Sequence, residues 1–153
     1  MMKVLYATDG SDAAKASAQL LLDVADPAKI EVTVVSVDAP VVSGDDRPAR
    51  VIAEEAADAF RREGFRVEVR TAQGHPGLMI SQIATEGFGL IAVGAGSTSW
   101  LGRALLGSVS RYLIHKAPSA VLVSRSTQHP LTEKEETEDQ ETGCGSEAHD
   151  PFR

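Results

Sequence analysis

The hydrophobic and polar positions of the chain alternate between short apolar runs and segments with helical periodicity. Five apolar runs rich in β-branched residues predict strands: residues 3–8, 30–37, 65–74, 90–94 and 120–125. Four intervening segments with helix-forming composition or helical spacing predict helices: residues 11–26, 48–63, 76–87 and 108–118. Strands that alternate with helices predict one α/β domain, with a parallel sheet and helices on both of its faces.

Local signals refine these elements. Either Ser11 or Asp9 is placed to cap the first helix. The second helix has four apolar residues at the spacing of one helix face: Ile52, Ala56, Ala59 and Phe60. In the third helix the residues predicted to face inward are Met79, Ile80, Ile83 and Ala84. Strict alternation at Phe65, Val67 and Val69 predicts a strand near a sheet edge.

Charge divides the chain into two unequal parts. The 153 residues carry a net charge of −7, and residues 126–153 hold eight of the acidic residues against only Lys134 and Arg153. This segment has no apolar periodicity, so we predict a folded domain over residues 1–125 and an acidic, disordered tail over 126–153. The domain itself is almost neutral, which disfavours a nucleic-acid binder.

Composition also bears on the compartment. No apolar run approaches the roughly 20 residues that span a bilayer, and the first residues lack the pattern of a signal peptide. The single Cys144 has no internal partner for a disulfide. We therefore expect a cytoplasmic protein.

The most informative stretch is "VGAGSTSWLGRALLGSVS", residues 93–110. Gly94 ends a predicted strand, and Gly107 and Ser108 lie at the start of a predicted helix, where Ser108 is placed both to cap the helix and to offer a hydroxyl. Glycines that lead into a helix N-terminus can form a nest for phosphate, although a tight structural turn explains the same composition. The stretch is not a P-loop, because the motif's lysine is missing. If strands one and four are neighbours, Asp9 and this loop share one crevice.

The spacing within this stretch resembles the nucleotide motif of the universal stress protein family. That motif has a glycine, two residues, a second glycine, nine residues, and a glycine followed by serine or threonine. Gly94 and Gly107-Ser108 match it, and nine residues, 98–106, lie between position 97 and Gly107. Further matches are "YATDGS" near the start and Gly74-x-Pro76. The resemblance covers residues 2–125 and implies a five-stranded sheet of order 3-2-1-4-5, an adenine-nucleotide α-hydrolase-like fold.

The resemblance also implies a site for ATP, with Mg²⁺ bridging its phosphate oxygens. Asp9 is expected to accept a hydrogen bond from ribose or adenine, and Val37 to line the adenine pocket. Ala7 and Val93 are expected near the base and sugar. The residues expected to hold the phosphates are Gly94, Gly107, Ser108 and the backbone of Val109, with Ser97 at the place of the motif's second glycine. Arg103 either reaches the phosphates or faces solvent.

The function implied is that of an ATP-binding regulatory protein in stress response, not a dedicated enzyme. The family commonly forms dimers through the last strand, here residues 120–125. A dimeric interaction protein that binds no nucleotide is the alternative. An enzyme that cleaves ATP at the α-phosphate is disfavoured, because residues 8–12 match the S-G-G-x-D-S loop poorly.

Ser97 is the one departure from the motif, and we expect it to weaken ATP binding without abolishing it. If the motif needs its second glycine for a left-handed conformation, a serine there costs about 1 kcal/mol or more, and 1.4 kcal/mol is tenfold in affinity. If the motif needs that glycine only for close approach, the serine hydroxyl can donate to a phosphate. Ser97→Gly is therefore expected to leave the fold intact and tighten ATP binding in a calorimetric titration. An unchanged or lower affinity would show that the serine contributes to the site.

Overall fold

A computed structural model describes the protein over residues 1–39, 47–96 and 106–126. These ranges contain five strands: β1 (Met2–Ala7), β2 (Ile30–Asp38), β3 (Arg66–Gln73), β4 (Leu90–Gly94) and β5 (Ala120–Ser124). They also contain four helices: α1 (Asp12–Val24), α2 (Ala49–Arg62), α3 (Pro76–Ala84) and α4 (Ser108–Lys116). Apart from its first residue, Ser126, the predicted acidic tail lies outside the described residues, so the division into domain and tail stays a prediction. None of the described helices is long and apolar enough to cross a membrane.

All neighbouring strands are parallel, and their order is β3-β2-β1-β4-β5. This confirms the predicted fold class and strand order. It also confirms that β3 lies at an edge of the sheet. The order reverses beside β1, which pairs with β2 on one side and with β4 on the other.

Side chains that alternate along the strands build a core on each face of the sheet. On one face, Val4 and Tyr6 of β1 pack with residues of α1 and α2. On the other face, Leu5 and Ala7 pack with residues of α3 and α4. Three aromatic side chains pack against one another on the α1/α2 side. The ring centroid of Phe60 lies 5.5 Å from that of Tyr6 and 5.7 Å from that of Phe65.

The buried faces of α2 and α3 match the expected ones in part, because Ile52 and Phe60 of α2 and Ile80 and Ala84 of α3 are buried as predicted. In α2, Ala53 and Ala57 are fully buried, whereas Ala56 and Ala59 are only partly covered because they face the space between α1 and α2. In α3, Met79 and Ile83 are likewise only partly buried. Gly77 is buried instead, because the Tyr112 ring packs directly against it. Apolar spacing predicted where these two helices lie in the chain, but not which residues lie at the centre of each buried face.

The structure resolves the alternative caps of α1. The Ser11 hydroxyl accepts a hydrogen bond from the Ala14 amide at 3.2 Å and is the N-cap. The Asp9 carboxylate lies in the turn before the helix, where it accepts a hydrogen bond from the Ser11 amide at 3.0 Å. His75 is exposed and caps α3, because its Nδ1 accepts a hydrogen bond from the Leu78 amide at 3.3 Å.

Tyr6 links β1 to the first turn of α1 through a hydrogen bond. It is 1 % exposed, and its hydroxyl donates a hydrogen bond to the carbonyl of Ala14 at 2.7 Å. Burial disfavours the charged phenolate and raises the pKa of Tyr6 from 10.0 to about 12.

This burial predicts a loss of stability at alkaline pH. In the unfolded chain the tyrosine ionises near pH 10, so its contribution to stability is complete below pH 10 and is lost as the pH rises through 12. The loss over that window is roughly 2–3 kcal/mol. We expect Tyr6→Phe to lower the free energy of unfolding at neutral pH by about 1 kcal/mol and to remove this part of the alkaline decline. Urea unfolding across the pH range measures both effects.

Tyr112→Phe is the matched control, because Tyr112 is the only other tyrosine of the chain. It should keep the alkaline decline of the wild type. A decline of equal size in the Tyr6 variant would contradict the role given to the buried phenol.

Candidate functional site

A cavity of about 380 Å³ opens at the carboxyl ends of β1 and β4, where the strand order reverses. The register that pairs Val4 with Leu90 and Tyr6 with Ala92 brings these two strand ends side by side. Open parallel sheets bind ligands at this kind of position, and the volume lies within the usual range of small-molecule sites. The expectation that Asp9 and the glycine loop share one crevice is therefore met by the geometry.

Glycines permit the close backbone contacts that shape the cavity. At Gly94, a Cβ would lie 2.5 Å from the Ala14 nitrogen and 2.6 Å from the Ala13 carbonyl carbon. Such distances are far shorter than a van der Waals contact, so only glycine allows α1 to begin this close to the end of β4. The position needs glycine for packing, whatever ligand binds nearby.

Gly96 and Gly107 make a second close contact. Gly96 has φ +93, a conformation that favours glycine, and a Cβ on it would lie 2.9 Å from the Gly107 Cα. The Gly107 amide donates to the Ala95 carbonyl at 2.6 Å, and the Ala95 amide donates to the Ser124 carbonyl at 2.7 Å. These bonds hold the first turn of α4 against the ends of β4 and β5.

The N-terminus of α4 forms the polar end of the cavity. Gly107 is the N-cap, and α4 has no side-chain cap hydrogen bond. Ser108 is the exposed first residue of the helix, so the expectation that it caps α4 was wrong. Gly107 has no side chain, so the first amides of α4 have no side-chain acceptor of their own and are suited to an anion.

Apolar side chains line the rest of the cavity. They come from β1, β2, α3 and α4 and from the residue after β2: Ala7, Val35, Val37, Ala39, Pro76, Ile80 and Val109. One end of the cavity thus suits a flat apolar group, and the other end suits an anion.

Asp9 is the only charged side chain among the described residues that line the cavity. One of its oxygens already accepts from the Ser11 amide. The part of the lining that the structure describes contains no lysine, arginine or histidine. No cluster of metal-ligating side chains occurs within residues 1–39, 47–96 and 106–126.

Most of the residues implicated by the sequence meet at this cavity. Seven of them line it: Ala7, Asp9, Val37, Gly94, Gly107, Ser108 and Val109. Val93 does not, because it is 3 % exposed and packs in the core under α3 and α4. Ser97 lies outside the described residues, as do Trp100 and Arg103.

Several lining residues were not among the site residues expected from the sequence. Thr8, Ser11 and Gly96 adjoin residues that were recognised, so proximity in the chain was an available signal. Val35 and Ile80 were recognised only as core positions, and no sequence signal separates a cavity wall from a core. Ser110 was also missed; its hydroxyl lies 3.1 Å from the Gly107 carbonyl and steadies the first turn of α4.

Comparisons with known proteins agree with this architecture. The model of the universal stress protein family matches residues 1–125, and the chain belongs to that family. No curated protein sequence matches the chain.

Solved structures share the fold. A universal stress protein from Archaeoglobus fulgidus is 26% identical with a TM-score of 0.66, covering 81% of this chain and 98% of that one. UspA from Lactobacillus plantarum is 25% identical with a TM-score of 0.61, covering 81% and 97%. A family member from Arabidopsis thaliana, solved with AMP bound, is 16% identical with a TM-score of 0.69, covering 86% and 97%. At 16% identity the last likeness shows the fold alone.

We predict that Gly94→Ala destabilises the protein by about 1–3 kcal/mol, because the added methyl group meets the backbone of α1. Gly89→Ala is the matched control. A Cβ there would meet the exposed side chain of Met2 at 3.1 Å, and that side chain can move away. Urea unfolding of both variants tests the difference. Equal losses would contradict a special packing requirement at Gly94.

Proposed function

We propose that this protein binds ATP in the cavity between β1 and β4 and acts as a regulatory protein in stress response. The observation that carries the proposal is the pairing of an apolar slot with the uncapped N-terminus of α4 in a single cavity. Adenine fits the slot beside Val37, and the phosphates fit the amides at Ser108 and Val109. The AMP bound to the Arabidopsis protein of the same fold supports an adenine nucleotide as the ligand.

In this proposal Asp9 fixes the nucleoside end. Its bond from the Ser11 amide holds the carboxylate in place and leaves its other oxygen available to a ribose hydroxyl or the adenine amine. A carboxylate at this end disfavours phosphate beside it. The ligand is therefore oriented with its phosphates towards α4.

Charge balance favours Mg²⁺ as the companion of the nucleotide. The described lining offers a triphosphate only backbone amides and hydroxyls, with no cationic side chain. The positive charge of Mg²⁺ offsets the negative charge of the phosphate oxygens. The described residues provide no carboxylate cluster for it, so we propose that it arrives on the nucleotide and is not held by its own protein site.

A regulatory role fits the cavity better than dedicated catalysis. A hydrolase needs a base or a group that positions water. Among the described lining residues, Asp9 is the only carboxylate, and it lies at the end that we assign to the nucleoside. We therefore propose that occupancy, and not turnover, is the signal, with slow hydrolysis as a side reaction at most.

We also propose that two copies associate through β5 in the cytoplasm. This strand forms an edge of the described sheet, and its five residues contain no charge or proline to prevent pairing with another strand. Antiparallel pairing of β5 with its own copy gives a closed two-fold dimer. Light scattering should give the mass of two chains, and a single-chain mass at high protein concentration would contradict this part.

Ser108→Asp tests where the phosphates bind. A carboxylate in the first turn of α4 interacts favourably with the helix dipole by about 0.3–1 kcal/mol, so the fold should be kept. The same charge should repel the phosphates and weaken Mg-ATP binding by about tenfold or more. Adenosine, which has no phosphate, should bind as it does to the wild type. Calorimetric titration measures both ligands.

Val51→Asp is the matched control. Val51 is 41 % exposed in the first turn of α2, which has no acidic residue of its own there and whose first amide, that of Ala49, donates to the Asp38 carboxylate at 3.0 Å. The variant adds the same charge to the first turn of a helix away from the cavity, so its ATP affinity should not change. If Ser108→Asp binds Mg-ATP as tightly as this control, the phosphates do not bind at α4.

A further inference from the structure

A second, smaller cavity lies on the opposite face of the sheet, between α1 and α2. Its volume is about 280 Å³. We call it the α1/α2 groove. It remains open because the side chains that face each other there are short: Ala18 on α1, and Ala56 and Ala59 on α2. Among the described lining residues, the groove shares only Thr8 with the cavity assigned to the nucleotide.

The floor of the groove is apolar. It includes Leu22 of α1 and Ile52 of α2, with the alanines between them. An apolar floor of this size stabilises a small aliphatic group, because the methylenes that it buries are removed from water. The volume falls just below the usual range for drug-sized ligands, so the ligand must be small.

The rim of the groove carries polar groups, most of which already have partners. Arg47 forms an ion pair with Glu55 across the rim. The Gln19 side-chain amide donates to Asp23 at 2.8 Å. Lys15 is exposed and pairs with no acidic residue within the ranges that the structure describes. Among the rim residues that the structure describes, the charge without an acidic partner is therefore the positive charge of Lys15.

The position of Lys15 sets the orientation and length of a ligand. It lies in the first turn and a half of α1, where the helix dipole also favours an anion. Lys15, Ala18 and Leu22 lie three and four residues apart, so they follow one stripe of the helix. Leu22 is the seventh residue after Lys15, which corresponds to roughly 10 Å along the helix axis. A carboxylate at Lys15 therefore places a short aliphatic chain over Ala18 and towards Leu22.

We propose that the α1/α2 groove is a second ligand site, which takes a small monocarboxylic acid with a short aliphatic chain. Lys15 binds the carboxylate, and the floor between Ala18, Leu22 and Ala56 binds the chain. The site is separate from the nucleotide cavity and does not depend on the function proposed for that cavity.

Hexanoate is a suitable probe, with hexan-1-ol as its uncharged counterpart. Calorimetric titration of the full chain should show hexanoate binding more tightly than hexan-1-ol. Lys15→Gln should weaken hexanoate binding by about two- to fivefold, the range for an exposed charge pair, and leave hexan-1-ol unaffected. Lys29→Gln is the matched control, since this exposed lysine pairs with Asp26 outside the groove and should leave both affinities unchanged.

Ala56→Leu tests the floor independently. The added side chain occupies the groove, so hexanoate binding should be lost while the free energy of unfolding is maintained or raised. Ser108→Asp should bind hexanoate as the wild type does, because it alters only the other cavity. The proposal is overturned if the wild type shows no hexanoate binding, if Lys15→Gln and Lys29→Gln behave alike, or if Ser108→Asp removes the binding.

Discussion

At the carboxyl end of β4, the backbone packs directly against the backbone at the start of α1, and the rest of the site depends on that contact. Gly94 lies so close to Ala13 and Ala14 that no side chain fits between them, and Gly96 lies against Gly107 in the same way. The first contact sets where α1 begins, and the second sets where α4 begins. The cavity is the space left between these two helix starts and the end of β1.

The same arrangement separates the apolar end of the cavity from the end that suits an anion. The N-termini of α1 and α3 are capped by their own side chains, Ser11 and His75, whereas α4 starts at a glycine and has no side-chain cap. Only α4 therefore presents an uncapped helix start to the cavity. Valine and isoleucine side chains from β2 and α3 supply the apolar part. A ligand that combines a flat apolar ring with phosphates satisfies both parts at once.

The turn after β1 lies between the cavity at β1 and β4 and the α1/α2 groove. Thr8 borders both of them, Asp9 faces the nucleotide cavity, and Gly10 lines the α1/α2 groove. The turn is held by a bond from the Gly10 amide to the Thr8 hydroxyl at 3.1 Å, and by the Asp9 bond to Ser11. Such short local bonds keep Asp9 in a defined position before any ligand binds.

Short apolar runs, helical spacing and helix-forming composition predicted the nine elements of the described residues, because strands and helices differ in period, length and composition. They could not give the strand order, which depends on contacts between distant segments; the resemblance to a family supplied that order. The shared crevice of Asp9 and the glycine loop then followed. Three details were beyond the sequence: Gly107 caps α4 in place of Ser108, Val93 is sealed in the core, and Ala56 and Ala59 face a groove. Each depends on packing between elements.

The central claim is that the cavity between β1 and β4 binds ATP. A calorimetric titration of wild-type protein, first stripped of any nucleotide carried through purification, with Mg-ATP tests this claim most directly. The account predicts saturable binding of one nucleotide per chain. Absence of binding at millimolar Mg-ATP, from protein that unfolds cooperatively and is therefore folded, would contradict it.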